Sequence, residues 1–197
     1  MVDNVPTIYG AGVWIDPRVI FGQNVIVGHG SCIGYPDEDE NKLVIMDDVK
    51  IGAFCVVSMG SRLERNVELE HYCRVDSESI IGENSKLLYG ARVHWKVQIG
   101  KNCIIGGNCV DRTVMGNNVR HFGRLVHQQR ERNKDWHETE EPSPIIEDDV
   151  LIGANAILVG GLTIGQGSII GAGEIVTKDI PRNSIFRHNT CKPLKSQ

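Results

Sequence analysis

Aromatic side chains are scarce: Phe, Tyr and Trp together make up 6% of the 197 residues. A thick core built on ring packing is excluded, and the interior must be thin and aliphatic. There is no excess of positive charge. Lys and Arg number 21 against 25 Asp and Glu, a formal net charge of −4. That excludes polyanion binding by the molecule as a whole and leaves only local basic patches. Nothing approaches the ~18 uncharged apolar residues of a membrane span. The opening stretch Met1–Pro6 carries Asp3 and no apolar centre, so no secretory leader is read there. A cytoplasmic chain that binds neither nucleic acid nor membrane is expected. The six cysteines contain no C-x-x-C pair, so the usual spacing of a structural metal site or redox dithiol is missing.

Glycine, by contrast, is abundant at 22 residues. Its placement follows a period. Apolar residues recur at every sixth position: Ile15, Phe21, Val27 and Ile33, then, after Asp39, without interruption from Ile45 to Ile105. The ladder stops at Asp111, with Met115 as an isolated rung. A second ladder runs through Ile146, Ile152, Leu158, Ile164, Ile170 and Val176. Glycine directly follows a rung 11 times, where its overall frequency would give about two or three. Four residues after each rung the side chain is small or aliphatic, as at Val25, Ser31, Ser61, Ser85 and Ala156.

A period of six cannot be an α-helix, whose apolar face repeats near 3.6 residues. It fits short strands joined by tight corners and wound into a prism. One rung and one small residue per side fill a narrow interior, and successive coils stack at roughly 4.8 Å. Stability is then a sum over neighbouring coils. Cys55, Cys73, Cys103 and Cys109 all occupy the small inward slot, which marks them as buried packing residues. The expected organisation is a lead-in at 1–14, the repeat domain at 15–181 and a tail or short helix at 182–197. Two insertions interrupt the repeat, at 35–44 and at 121–145. The second is basic first (Arg124, Arg130, Arg132, Lys134) and acidic later (Asp135, Glu138, Glu140, Glu141), and it holds His121, His127, His137 and Trp136. So long a loop in a compact repeat is usually functional.

Two stretches, Ile152-Gly153-Ala154-Asn155 and Gly171-Ala172-Gly173 with Thr177-Lys178-Asp179-Ile180-Pro181, resemble the hexapeptide-repeat acyltransferases, in particular the small-molecule O- and N-acetyltransferases. The resemblance covers most of residues 9–181. It implies an all-β, left-handed parallel β-helix and a homotrimer with sites in the grooves between copies. It also implies acetyl-CoA as acyl donor, without a metal. In that branch a catalytic histidine lies 27 residues before the residue after Ile-Gly; here that residue is Ala154 and the histidine is His127. The same register carries the coenzyme A contacts onto Ala154, Ala172, Thr177, Lys178 and Lys192. Two motifs depart from the family's pattern: Gln128 stands where a proline commonly follows the histidine, and His188-Asn189-Thr190-Cys191 replaces Gly-Asn-Pro-Ala.

Transfer of an acetyl group needs a base at the acceptor, a donor for the oxyanion and alignment of the two reactants. His127 is the expected base, since imidazole titrates near neutral pH, with His121 and His137 as alternatives. The Ala154 N–H is the expected oxyanion donor. Lys178 and Lys192 would meet coenzyme A phosphates. The acceptor would be a small hydroxyl or amine compound, by family analogy a sugar or nucleotide sugar. Tyr89, His94 and Trp95 are candidates to line its site or a subunit contact, and Asp37–Glu40 to meet an amine. The competing readings are a γ-class carbonic anhydrase-like hydratase using His121 and His127, and a scaffold without catalysis.

Overall fold

The computed structural model describes residues 8–35, 41–128 and 141–194. His137, Trp136, Arg130, Arg132, Lys134, Asp135, Glu138, Glu140 and the Asp37–Glu40 segment lie outside those residues. The chain forms a left-handed parallel β-helix of about 9 turns. Among the described residues it comprises three sheets of 11, 9 and 8 strands, the three faces of a prism. No helix there is long and apolar enough to cross a membrane.

Each strand pairs with the strand one coil on, so rungs stack on rungs. On the first face Ile51, Leu69, Leu87 and Ile105 stand in register. Val57, Val75 and Val93 do so on the second, and Leu63, Ile81 and Ile99 on the third. These side chains are buried, as are the small slots Ser31, Ser61, Ser79, Ser85, Cys55, Cys73 and Cys103. The serines do more than fit. Ser85 Oγ donates to the Gly100 carbonyl at 2.9 Å and accepts from the Cys103 N–H at 2.9 Å, tying adjacent coils together.

The corners follow a rule of their own. The third residue after a rung sits at left-handed φ, as at Asn66 (57°), Asn84 (60°), Asn102 (57°) and Asn118 (58°). Asparagine tolerates that region better than other side chains with a Cβ. Along the edge between the third and first faces these amides form a ladder, Asn66 to Asn84 at 2.9 Å, Asn84 to Asn102 at 3.3 Å and Asn102 to Asn118 at 3.3 Å. It ends on Asp149 Oδ1 at 2.9 Å. The Asn118 and Gln166 amides hold the Asp149 carboxyl below its ordinary range.

Three expectations are corrected. The ladder does not stop at Asp111. Cys109 is itself a rung, in line with Val93, and Met115 is paired on both sides rather than isolated. The step from Ile105 to Cys109 is four residues because the corner there has lost two. The same happens from His121 to Leu125. Second, His121 is a core rung on the first face, between Ile105 and Ile152, and not a loop residue. Third, Ser184–Arg187 and Thr190–Pro193 form an antiparallel hairpin on the first face where a tail or short helix was expected. His188 and Asn189 make its two-residue turn, both at positive φ (51° and 56°).

Glycine is required at the shortened corners. A Cβ on Gly107 would collide with the Gly123 carbonyl oxygen, and one on Gly123 with that of Ala156. The backbones of three coils approach closely there.

Candidate active site

His127 follows the second-face strand Arg124–Val126, at the edge between the second and third faces. Leu125 anchors that strand in the core at 1% exposure, so the imidazole two residues on is held against the prism. The ring is 16% exposed and lies between two carboxylates. Its Nε2 is 3.8 Å from Asp111 Oδ2 and its Nδ1 is 3.9 Å from Glu141 Oε2. Both acids are themselves fixed. The Trp95 N–H donates to Asp111 Oδ1 at 3.0 Å, Ser143 Oγ donates to the Asp111 carbonyl at 2.6 Å, and the Gln128 N–H donates to Glu141 Oε2 at 2.7 Å. At 3.8 and 3.9 Å these two carboxylate oxygens lie beyond hydrogen-bond reach of the ring but place negative charge on either side of it.

The ring faces a cleft of about 300 Å³ lined also by His94, Asn108, Asp111 and Val126. His94 is an expected lining residue that the structure does bring to this cleft; its Nδ1 is 3.5 Å from Asp76 Oδ2. Trp95 points elsewhere, with its indole N–H on Glu78 at 3.0 Å and Lys96 over its ring. Tyr89 stands on another edge, packed edge-on to Tyr72.

His121 cannot share this chemistry. It is fully buried, and burial pushes its pKa down to about 4. Its Nε2 meets the Asn108 carbonyl at 3.2 Å, while Nδ1 is buried without a partner. A carbonyl only accepts, so Nε2 carries the proton. The pair of histidines on which the hydratase reading relied is therefore split, one inward and one outward. Among the described residues no three potential metal-binding side chains converge.

Ala154 and Ala172 lie on the edge between the first and second faces, one coil apart; the Gly173 N–H donates to the Ala154 carbonyl at 2.9 Å. Two earlier coils show how this position can be capped. The Ala11 N–H is capped by His29 Nδ1 and that of Ala53 by His71 Nδ1, each at 2.9 Å from the next coil. At Ala154 the next coil offers Ala172, whose side chain has no acceptor. Among the described residues nothing takes up this exposed N–H, and it is available to a ligand's oxygen.

Lys178 and Lys192 come together. Both line a cleft of about 480 Å³ at the last coil with Arg182 and Cys191, the terminal hairpin supplying Lys192. Thr177 is exposed just before Lys178. Asp111, Glu141 and Asn108 were not among the expected site residues. Asp111 falls where the six-residue ladder breaks, and no spacing singles out Glu141.

The repeat, the prism and its corners are those of one protein group. The chain belongs to the hexapeptide-repeat superfamily. The model described as "Hexapeptide repeat of succinyl-transferase" matches residues 96–120 and 145–178. The bifunctional protein GlmU of Bartonella bacilliformis is 32% identical over 174 residues, 88% of this chain and 33% of that protein. The 2,3,4,5-tetrahydropyridine-2,6-dicarboxylate N-acetyltransferase of Staphylococcus aureus is 50% identical over 52 residues, 26% of this chain and 22% of the relative. The solved UDP-N-acetylglucosamine acyltransferase of Campylobacter jejuni superposes with a TM-score of 0.55 at 16% identity, covering 93% of this chain and 72% of that one. That likeness is one of fold. The chain spans about a third of the length of the GlmU proteins it matches.

Proposed function

We propose that the chain transfers an acetyl group from acetyl-CoA to a hydroxyl or amine of a small acceptor, with His127 as base. The observation that carries this is the cleft-facing His127 held between Asp111 and Glu141. The acceptor's proton passes to the imidazole as its oxygen or nitrogen bonds to the thioester carbonyl carbon. The carbonyl oxygen takes up the negative charge, for which the uncapped Ala154 N–H is the donor. Collapse breaks the carbon–sulfur bond and releases coenzyme A as thiol once the sulfur regains a proton. Lys178 and Lys192, with Arg182 beside them, suit the phosphates of the donor. Ala172 and Thr177 serve as backbone contacts along it. The name of the Campylobacter jejuni neighbour, a UDP-N-acetylglucosamine acyltransferase, supports a sugar or nucleotide sugar as acceptor.

The geometry also bears on assembly. His127 and Ala154 sit on opposite edges of the second face, separated by roughly 15 Å at the rise of an extended chain. One acetyl group cannot meet both within one chain, since each must act within about 3 Å of a reacting atom. The reading therefore includes a cytoplasmic homotrimer in which one copy supplies His127 and its neighbour supplies Ala154. The test is a screen of phosphorylated and plain sugars, amines and amino acids for release of free thiol from acetyl-CoA. Turnover with one acceptor class that disappears in His127→Ala supports the proposal; turnover that survives this substitution overturns it.

A further inference from the structure

The outer column of the second face has unbalanced charge. Arg74, Arg92, Asn108 and Arg124 stand in register on consecutive coils. Like charges stacked at strand spacing are unfavourable unless something neutralises them. Arg74 is neutralised by Asp76. Arg18, Arg62, Arg65 and Arg182 likewise lie against Asp16, Glu64, Asp47 and Glu147. Among the described residues no carboxylate reaches Arg92 or Arg124, and both are exposed. Arg120 and Arg187 share that lack, but Arg120 stands on the first face and donates to the Asn102 carbonyl, and Arg187 stands on the terminal hairpin.

The two arginines stand two residues from the lining of the cleft. His94 lies two residues after Arg92, Val126 two residues after Arg124, and both line the cavity that His127 faces. Asn108, in register between the arginines, lines it too. Two coils separate the arginines, roughly 10 Å, and two extended residues separate each from its cleft residue, roughly 7 Å. Guanidinium groups on long stems reach across such gaps, and their planar forks match phosphate oxygens.

We propose that Arg92 and Arg124, with the Asn108 amide between them, bind a phosphate or diphosphate group of the acceptor. This rests on reading the His127 cleft as the acceptor site. An anion held there leaves the rest of the acceptor reaching along the strands to His94 and His127, so the reacting group and the negative charge are separated by about two extended residues. The unpaired arginines keep their charge for the ligand instead of spending it on an internal ion pair.

The experiment is calorimetric titration of the full chain with inorganic phosphate and with pyrophosphate, in saturating coenzyme A so that the Lys178 cleft is filled. Saturable pyrophosphate binding is expected. The double variant Arg92→Gln/Arg124→Gln should weaken it about tenfold or more, with an unchanged melting temperature and unchanged coenzyme A affinity. Lys178→Gln should weaken coenzyme A and leave pyrophosphate binding intact. Phosphate binding as tightly as pyrophosphate assigns the site to a monophosphate; a clear pyrophosphate preference assigns it to a diphosphate. Equal pyrophosphate affinity in wild type and double variant, or no saturable binding of either anion, overturns the site. A chain that binds pyrophosphate but never coenzyme A overturns the transferase reading instead, and the two failures are thus separable.

Discussion

The coils from Ile45 to Ile105 and those from Ile105 to Gly160 obey the same repeat to different degrees. In the first region strands pair 18 residues apart throughout, as Glu68 with Lys50 and with Lys86. Its inward positions are aliphatic, Ser or Cys, and its exposed charges are mostly paired. In the second region two corners lose two residues and a histidine enters the core. The first region shows what the fold needs to stand. The second shows where it departs from that pattern, and the departures surround His127. Shortening the corner after Ile105 sets Asn108 in register with Arg92, and shortening the corner after His121 sets Arg124 there. The face beside the cleft is thereby built from residues that the regular repeat would have placed elsewhere.

The largest expected effect separates chemistry from architecture. His127→Ala should lower acetyl transfer by ~10²–10⁴ while urea unfolding shifts by no more than about 1–2 kcal/mol. A variant that loses stability in step with activity would make His127 a packing residue.

Corner glycines should differ in their tolerance of a side chain according to how closely the next coil approaches. Gly90 has open space around its Cβ position and a φ of +71°, so Gly90→Ala carries only the left-handed penalty, about 1 kcal/mol. Gly107→Ala must push the Gly123 carbonyl aside and should cost about 3 kcal/mol or more. Equal losses in urea unfolding would contradict the close approach of the coils.

A pH effect of similar size belongs to His121. Its folded pKa, pushed down to about 4 by burial, lies below the ordinary value near 6.5. The unfolded chain therefore binds the proton first. Its contribution is fully present above pH 6.5 and is lost as pH falls toward 4, by up to about 3 kcal/mol, with no further loss from this group below that. His121→Leu should flatten the slope in that window; superimposable pH–stability curves would refute the assignment.

The smallest effect tests the corner ladder. Asn84→Ala forfeits the amide bonds to Asn66 and Asn102 and strains φ, for about 1–2 kcal/mol. Asn84→Gly removes the bonds without the strain, and its urea midpoint should fall between those of wild type and Asn84→Ala.

Most of the prism was legible because aliphatic rungs at a period of six suit stacked short strands and hardly any competing fold. The shortened corners were not, because a four-residue step places Cys109 in the small slot of the old phase and makes Asp111 look like a missing rung. His121 reads as loop since a polar side chain seldom fills a core position; its place between Ile105 and Ile152 follows only once the lost corner residues are known. The asparagine ladder has a signal, Asn at the third place after successive third-face rungs, that attention to the glycines after the rungs obscures. Around the site, the resemblance to the hexapeptide-repeat acyltransferases points to His127. Glu141 lies far along the chain from His127 and comes near it only in the folded molecule, which no local pattern encodes. The terminal hairpin lacks the Asn-Gly turn that usually announces one, with His188-Asn189 in its place.

The account centres on acyl transfer from coenzyme A, and calorimetric binding of acetyl-CoA to the full chain tests it most directly. Saturable binding of one molecule per chain, weakened severalfold by Lys178→Gln, is the predicted result. No heat of binding at millimolar acetyl-CoA, with the protein folded, would contradict it.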